Sequence, residues 1–356
     1  MNAIEIFRLS GIALPHDGLV MLEEICEHFV EHSEVHRDAN TVSLKSEIGT
    51  ADIRLSGDRL MIELACPTRD ALQLTRNMIA EHLFYFAGEE PFELSWSDNA
   101  PVARLPNLHE VTVVAAEDVT PRMRRVKLAC DDVSPFVGGD MHVRILVPPK
   151  GRPPAWPGLG PDGRIAWPTG EDEFLVRVYT IRFVDVERRE LWVDFLQHPL
   201  DGVATPGADF ARDARPGDKI ALIGPGGGDM PCAEAILLAG DEAALPAIAR
   251  IAAEVPAGTR IQAIIEVEDE AEEQPLPTEG SLDVRWLHRR SYPKNARGIL
   301  ATHVIEAISL MDRQAYIWVA CEKDDIRSIR SFLKANGYDR KGKYLAWYWE
   351  RNKAAS

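Results

Sequence analysis

The first part of the chain, residues 1–98, mixes helical and alternating hydrophobic patterns. Apolar residues recur at helical spacing in GLVMLEEICEHFVEH and again in RDALQLTRNMIAEHLFYFA. Between them lie three short alternating segments, TVSLKSEIG, ADIRLSG and RLMIELAC, which predict half-buried strands. This pattern predicts a small α+β domain, and the polar segment SDNAPVARLPN that follows it predicts a linker.

Residues 107–230 change to short strands rich in β-branched residues and separated by Gly and Pro. The strands are HEVTVVAAEDV, RRVKLAC, HVRILVPP, EFLVRVYTIRFV, ELWVDFLQH and DKIALIGP. Near-regular strand spacing with turn residues between is typical of a small closed barrel. The Gly- and Pro-dense insert PPKGRPPAWPGLGPDGRIAWP interrupts this rhythm, and we expect it to be a surface loop.

Residues 231–352 alternate between strands and helices. AILLAG precedes LPAIARIAAEV, and RIQAIIEVED, ILATHVIEAISL, QAYIWVAC and DDIRSIRSFLKANG continue the alternation. A βαβ rhythm predicts a mostly parallel sheet with helices on both faces. Gly240 at the end of the first strand and Pro246 early in the helix suit a dinucleotide site at the carboxyl end of such a sheet, although the turn lacks the G-x-G-x-x-G pattern.

Composition narrows the classes of partner. The net charge is −16, with 40 basic against 56 acidic side chains, so the surface field repels nucleic acid and acidic membranes. We see neither an apolar run near the ~20 residues of a membrane span nor a signal peptide. These two observations predict a cytoplasmic location. The five cysteines are widely spaced without C-x-x-C, which argues against disulfides, structural zinc and an iron-sulfur cluster, so we expect buried thiols and no protein metal site.

Several motifs together resemble one family. They are R-V-Y-T at residues 177–180, RPGDKIALIGP, LLAGDEAALPAIARI, WLHR and YWERN. The chain resembles the siderophore-interacting proteins, a branch of the ferredoxin reductase-like flavoproteins, preceded by a domain that resembles the uncharacterised DUF2218 family. The resemblance implies a six-stranded antiparallel FAD barrel, an α/β NAD(P)H domain, FAD and NADPH or NADH as cofactors, and a ferric siderophore as substrate.

The R-x-Y-T stretch suits a flavin, which needs a cation for its pyrophosphate, a flat partner for its ring and a hydrogen bond near N5. By resemblance, Arg177 pairs with phosphate, Tyr179 packs on the isoalloxazine and Thr180 lies near N5, the last two being the catalytic residues. Strand alternation points Arg177 and Tyr179 to one face and Thr180 to the other. The alternative is a barrel strand with a surface arginine and a buried tyrosine.

The segment TPGADFA, residues 205–211, corresponds to a turn whose amides cradle the FAD pyrophosphate at a helix N-terminus. It departs from the family pattern, because Ala208 replaces a hydroxyl residue, Phe210 replaces tryptophan and Asp209 adds negative charge. We therefore expect weaker flavin retention. The flavin-site residues that the resemblance implies are Arg177, Tyr179, Thr180, Ile181, His198, Thr205, Gly207, Ala208, Phe210 and Trp349.

On the nicotinamide side the resemblance implies Gly240, Asp241 and Glu242, where the acidic pair would repel a close pyrophosphate. Glu266 closes the next strand, where an acid commonly accepts the ribose hydroxyls of NADH. Arg289 could instead meet the 2′-phosphate of NADPH. The sequence leaves both nucleotides open, and we expect the acidic run of residues 266–273 to be a solvated loop.

A ferric siderophore is a hard-oxygen chelate, often anionic, so its pocket should combine cations with aromatic walls. By loose resemblance the cations are Arg144, four residues before a proline, and Lys343, ahead of the terminal Tyr-Trp. Trp347 is the expected aromatic wall, and the alternative is a final strand that buries its aromatics. No protein ligand to iron is required.

The resemblance implies an NAD(P)H-dependent ferric-siderophore reductase that releases Fe(II) by single-electron transfer from flavin. The alternatives are a general flavin reductase or oxygenase reductase component, and a non-catalytic siderophore-binding protein. In the first domain His28, His32 and His36 recur at four-residue spacing, but the helix should end near His32, so we do not predict a metal site there. The sequence leaves open the role of this domain, the siderophore and the oligomeric state.

Overall fold

The computed structural model describes residues 5–30, 33–197, 205–228, 230–293, 296–338 and 342–351. The chain divides into two compact units. Met1–Leu108 and Pro148–Phe174 form the first, and His109–Val147 and Leu175–Ser356 form the second.

The first unit contains a six-stranded sheet in the order β2-β3-β4-β5-β1-β6. Its elements are β1 (Phe7–Leu14), α1 (Gly18–Phe29), β2 (Glu34–Asp38), β3 (Thr41–Ser46), β4 (Gly49–Ser56), β5 (Arg59–Cys66), α2 (Arg69–Ala87) and β6 (Glu93–Trp96). One core joins the sheet to both helices. The α+β prediction is confirmed, but three strands were missed: β2 is almost wholly exposed, β6 is very short, and β1 alternates around the small residues Gly11 and Ala13.

In the second unit a closed barrel has the strand order β12-β13-β8-β7-β14-β9. The strands are β7 (Leu108–Thr120), β8 (Met123–Cys130), β9 (His142–Val147), β12 (Leu175–Asp185), β13 (Glu190–Leu196) and β14 (Lys219–Ile223). Neighbouring barrel strands pair antiparallel, which confirms the predicted six-stranded barrel. A short helix, α3 (Pro206–Asp213), lies between β13 and β14 in the chain.

The insert between β9 and β12 is not a detached loop. It carries a two-stranded hairpin, β10 (Gly158–Leu159) and β11 (Ile165–Ala166). Although its two ends continue barrel strands, it groups with the first unit. The expected surface loop is therefore part of the N-terminal domain's structure.

The remainder of the second unit is a parallel sheet in the order β17-β16-β15-β18-β19. Its elements are β15 (Ala235–Asp241), α4 (Leu245–Glu254), β16 (Arg260–Val267), β17 (Ser281–His288), α5 (Ile299–Leu310), β18 (Tyr316–Glu322), α6 (Lys323–Ala335) and β19 (Lys343–Trp349). Alternate residues of the central strand β15 enter two separate cores, one on each face, as a sheet covered on both sides requires. The α/β prediction is confirmed, and among the described helices none is long and apolar enough to cross a membrane.

Candidate flavin and nucleotide site

The register between β9 and β12 fixes the directions of the R-x-Y-T side chains. Arg177 lies opposite Ile145, and Thr180 lies opposite His142. Directly opposite residues of an antiparallel pair share a face, and successive residues alternate. Arg177 and Tyr179 therefore share one face and Thr180 occupies the other, as the strand pattern predicted.

Arg177 and Tyr179 border a narrow recess beside α3. Its lining residues are Ile145, Val147, Leu175, Arg177, Tyr179, Phe195, Gly207 and Phe210. The Tyr179 ring packs against Phe195, with 4.3 Å between centroids. Burial raises the pKa of the Tyr179 phenol to about 12, so it stays neutral at physiological pH. The recess thus joins a guanidinium to flat aromatic and apolar walls.

The N-terminus of α3 approaches the Tyr179 hydroxyl so closely that only glycine fits at the second helical position. A Cβ at Gly207 would overlap that hydroxyl. The amides of Gly207 and Ala208 belong to the first helical turn, where N–H groups have no intrahelical acceptor. This turn can therefore donate hydrogen bonds to an anion beside Arg177.

The negative charge of Asp209 is offset within α3 itself. Its carboxylate accepts from the Thr205 amide at 3.1 Å and from Arg212 Nη1 at 2.8 Å. The hydrogen bond from Arg212, assisted by that from Thr205, holds the pKa of Asp209 below its usual value. Asp209 thus caps its own helix, and Arg212 reduces the repulsion that the sequence suggested.

The residue types present suit FAD: a cation, a helix N-terminus and aromatic surface border one recess, and the Thr180 hydroxyl lies on the opposite face of the same strand. Two further expected residues contribute less. Ile181 is buried in the barrel, its amide donates to Met141 at 2.8 Å, and its carbonyl accepts from Arg250 at 2.9 Å. His198 lies outside the described residues, so its role stays a prediction.

Thr180 is the first member of a hydrogen-bonded chain that the sequence did not reveal. Its hydroxyl lies 3.2 Å from Nδ1 of His142, and Nε2 of His142 lies 2.9 Å from the Tyr348 hydroxyl. Burial, with a smaller contribution from Arg250, lowers the pKa of His142 to about 4. The imidazole is therefore neutral near pH 7, and its single ring proton lies on either Nδ1 or Nε2. The sequence signal for this chain was the glycine run of residues 226–228. The run packs against His142, and Gly228 must lack a side chain because a Cβ there would lie 2.6 Å from Nε2.

Arg250 links the α/β layer to the barrel and was also missed. It projects from α4 and is 1% exposed. Its guanidinium donates to the carbonyls of Ile181 and Phe136 and pairs with Glu254, at 2.9, 2.8 and 2.8 Å. Because Ile181 follows Thr180, this contact positions the end of the R-x-Y-T stretch against the dinucleotide fold.

At the carboxyl edge of the parallel sheet, Gly240 allows close packing, because a Cβ there would meet Ala244 and the Ala320 carbonyl at 2.5 Å. The next residue, Asp241, accepts from Trp349 Nε1 at 2.7 Å. Burial, and then the charge of Glu242, raise the pKa of Asp241 to about 7. The structure thus brings the expected Gly240, Asp241, Glu242 and Trp349 together at one edge.

Arg289 reaches the same edge but is already paired. It makes ion pairs with Glu242 and, at 3.1 Å, with Glu266. Burial works against its charge, but these carboxylates raise the pKa of Arg289. The two residues expected to distinguish NADH from NADPH are therefore bonded to each other.

The acidic run of residues 266–273 is not simply a solvated loop, and that expectation is wrong for Glu272. This residue is 4% exposed, and its carboxylate accepts from the Thr120 hydroxyl at 2.5 Å and the Arg122 amide at 3.2 Å. Glu268 in turn pairs with Arg122 at 3.1 Å. The run fastens the parallel-sheet layer to the barrel.

The three residues expected to bind the substrate lie in different parts of the second unit. Arg144 is exposed and lies opposite Val178, on the Thr180 face of β9 and β12. Trp347 is 52% exposed near the carboxyl end of β19. Lys343 begins that strand, roughly 20 Å from its other end at ~3.3 Å of rise per residue. Lys343 therefore does not join the site, because parallel register places it at the amino edge of the sheet.

A closed six-stranded barrel followed by a parallel dinucleotide-type sheet is also the fold of the ferredoxin reductase in carbazole 1,9a-dioxygenase, which superposes with a TM-score of 0.50 at 16% identity, covering 72% of each chain. Comparison with protein families identifies the chain more closely. The model of the siderophore-interacting FAD-binding domain matches residues 112–229, that of the siderophore-interacting protein matches residues 233–352, and that of DUF2218, described as an uncharacterized protein conserved in bacteria, matches residues 13–97.

Individual relatives agree. An uncharacterised protein of Mycobacterium tuberculosis is 31% identical over 273 residues, covering 69% of this chain and 91% of that protein. The ferric vibriobactin reductase of Vibrio cholerae is 28% identical over 242 residues, covering 66% and 86%. The crystal structure of a siderophore utilization protein from T. fusca superposes with a TM-score of 0.55 and 29% identity, covering 70% and 95%. The chain belongs to the siderophore-interacting protein family.

Proposed function

We propose that this protein is an NAD(P)H-dependent, FAD-containing ferric-siderophore reductase that releases iron as Fe(II). The carrying observation is the recess formed by Arg177, Tyr179 and the α3 N-terminus, adjoining Thr180 where the barrel meets a dinucleotide-type sheet. The similarity to a ferric vibriobactin reductase supports this substrate class. When bound, FAD supplies the conversion of a two-electron hydride into single electrons for iron.

In this proposal Arg177 and the amides of Gly207 and Ala208 hold the pyrophosphate. A charge-assisted contact and helix-terminal donors are the ordinary means of binding such an anion. Tyr179 provides the flat surface for the flavin ring, and its neutral phenol adds no competing charge.

Thr180 holds a hydroxyl proton whose direction depends on His142. If Nδ1 of His142 carries the imidazole proton, it donates to Thr180, whose own proton remains available to an acceptor in the site. If Nε2 carries the proton, it donates to Tyr348, and Thr180 donates to Nδ1 and can only accept from the site. His142 can therefore let Thr180 act as donor or acceptor without either residue becoming charged.

The nucleotide site uses the carboxyl edge of the parallel sheet. Glu266 would accept from ribose hydroxyls, and Arg289 would meet a 2′-phosphate after exchanging its carboxylate partners. Both NADH and NADPH remain within the proposal.

On the substrate side, exposed Arg144 and Trp347 offer charge and an aromatic surface to an anionic chelate. Reduction to Fe(II) weakens binding by hard oxygen ligands, so the metal can leave without a protein ligand. One hydride carries two electrons, so two ferric chelates are reduced per nucleotide oxidised. We also propose a cytoplasmic location, which the free thiols Cys26, Cys66, Cys130, Cys232 and Cys321 support.

The test is anaerobic stopped-flow absorbance of the flavin-loaded protein. We expect NADH or NADPH to bleach the flavin band, and ferric siderophores to restore it with two irons consumed per nucleotide. Restoration by quinones but by no ferric chelate would instead indicate a general flavin reductase. A protein that cannot be reconstituted with FAD yet binds ferric siderophore would indicate a non-catalytic binder.

A further inference from the structure

The insert contains a turn that is ordered by its own hydrogen bonds. The Gly160 amide donates to the Arg164 carbonyl at 2.9 Å, and the Gly163 amide donates to the Gly160 carbonyl at 3.0 Å. Asp162 Oδ1 accepts from the Arg164 amide at 3.0 Å. These bonds turn four successive carbonyls, those of residues 160–163, into a fixed set of acceptors.

The N-terminal domain donates to all four carbonyls. Arg76 Nη2 donates to residues 160 and 161, at 3.4 and 2.9 Å. Trp96 Nε1 donates to residue 162 at 2.8 Å, and Asn77 Nδ2 donates to residue 163 at 3.1 Å. Glu81 completes the set by accepting from the Ile165 amide at 2.9 Å. Three side chains of α2 and one of β6 thus recognise the shape of one turn.

Arg76 shows how specialised this surface is. It is 1% exposed, yet its guanidinium donates to the Gln73 side-chain oxygen Oε1 and to the insert carbonyls rather than to a carboxylate. Burial lowers the pKa of Arg76, which marks the cost of removing this cation from water. A buried charge is tolerated best when dipoles replace its hydration. The turn supplies such dipoles to Nη2, while the buried Nε has no hydrogen-bond partner among the described residues.

Steric fit and side-chain contacts strengthen the docking. Gly163 has φ +90°, and a Cβ there would lie 3.0 Å from Trp96 Nε1. The Arg164 guanidinium stacks 3.7 Å from the Phe84 ring centroid. Nearby, Leu159 and Val102 exchange main-chain hydrogen bonds at 2.8 and 3.1 Å.

We infer that the N-terminal domain is a receptor for the barrel's own insert: Arg76, Asn77, Glu81 and Trp96 bind the Gly-Pro-Asp-Gly turn and hold Pro148–Phe174 in one path. Pro148 follows β9 and Phe174 precedes β12 directly in the chain. Docking therefore restrains the ends of the two strands that carry Arg144 and the R-x-Y-T stretch. This role for the domain does not depend on the reductase proposal.

The sharpest test changes the insert and leaves the receptor intact. Gly163→Ala should be compared with Gly170→Ala, since both glycines have positive φ, at +90° and +67°, but a Cβ at Gly170 would meet nothing within 4 Å. We expect at least about tenfold faster hydrogen exchange at Ile165 and its neighbours in Gly163→Ala only. Exchange in β3–β5 should be unchanged.

The second variant changes the receptor. Arg76→Met keeps the length of the side chain but removes its donors, and Arg69→Met on the same helix, at an exposed position, is the control. Trypsin should cut after Arg164 about tenfold faster in Arg76→Met than in the control, with cutting after Arg188, an exposed residue outside the insert, unchanged. If Arg76→Met unfolds the domain, as exchange in β3–β5 would reveal, Gly163→Ala decides. Insert protection that survives Gly163→Ala as well as it survives Gly170→Ala would overturn the inference.

Discussion

Two arginines lie in different surroundings in the catalytic unit. Arg177 on the barrel borders a recess that Gly207, in the first turn of α3, also lines, and its Nη1 donates to the Val176 carbonyl at 2.7 Å. Arg289 at the sheet edge is bonded to Glu242 and Glu266. A phosphate at the sheet edge must therefore displace two carboxylates, whereas one on the barrel side lies beside a helix N-terminus.

This difference has an energetic consequence. A nucleotide phosphate that meets Arg289 leaves carboxylates that lose their cation, and an unpaired buried charge is costly. A flavin pyrophosphate beside Arg177 would also lie beside the first turn of α3, whose amides have no intrahelical acceptor. We therefore expect flavin to bind more tightly than the nucleotide, which suits a cofactor that stays and a cosubstrate that leaves.

The largest expected effect comes from removing Arg177, the cation on the barrel side. Arg177→Ala should weaken FAD binding by about 4 kcal/mol, on the order of 1,000-fold, because charge-assisted bonds to phosphate are lost. Arg188→Ala, at an exposed position beyond β12, is the control. The measurement is FAD content after gel filtration and titration of the apoprotein, and unchanged affinity would remove Arg177 from the site.

The next effect concerns His142, where the two regions meet. Its folded-state pKa is about 4, against 6.5 for the ordinary side chain. Between these two pH values the unfolded chain binds a proton at His142 and the folded chain does not. The contribution of His142 to the free energy of unfolding is therefore fully present above pH 6.5 and is lost as the pH falls towards 4. The loss should reach about 3 kcal/mol.

Denaturant unfolding of the wild type and His142→Gln across this range measures the effect. The wild type should lose its advantage over the variant as the pH falls. The comparison is needed because the raised pKa of Asp241, about 7, makes stability change in the opposite direction. A pH-independent difference between wild type and His142→Gln would contradict the burial argument.

A smaller effect tests how closely α3 must approach Tyr179. Gly207→Ala should lower FAD affinity by about 2 kcal/mol, roughly 30-fold, because the new methyl group overlaps the phenol oxygen. Adding Tyr179→Phe should recover part of that loss, and the coupling can be read from a double-mutant cycle. Gly226→Ala, where a Cβ meets nothing within 4 Å, should bind FAD normally. Strictly additive losses would contradict the contact.

The smallest expected effect comes from removing one of the carboxylates that pair with Arg289 at the sheet edge. Glu242→Gln keeps the shape of the side chain but releases part of the hold on Arg289. The ratio of kcat/KM for NADPH to that for NADH should rise about fivefold, the equivalent of about 1 kcal/mol. Glu270→Gln, on an exposed side chain, should leave the ratio unchanged. An unchanged ratio in Glu242→Gln would place the 2′-phosphate elsewhere.

The sequence predicted the architecture because strand and helix periodicities are local properties. Thr180 and Tyr179 could be assigned to opposite faces for the same reason. Contacts between residues far apart in the chain could not be predicted in this way. No local pattern around Arg289 indicates its partner Glu242, and none around Glu272 indicates its partner Thr120. The position of Lys343 at the amino edge of the sheet could not be read either, because a motif spacing does not reveal which end of a parallel strand a residue occupies.

The docked insert also changes how the chain can be divided. The path leaves the first unit after Leu108, returns to it at Pro148 and leaves again after Phe174. During synthesis the N-terminal domain emerges well before the turn that it binds. Barrel strands β12, β13 and β14 are synthesised only after the insert. A truncated protein that begins after residue 98 would still contain the insert Pro148–Phe174, between barrel strands β9 and β12, without the domain that binds it. To express the second unit by itself, the insert must therefore be shortened as well.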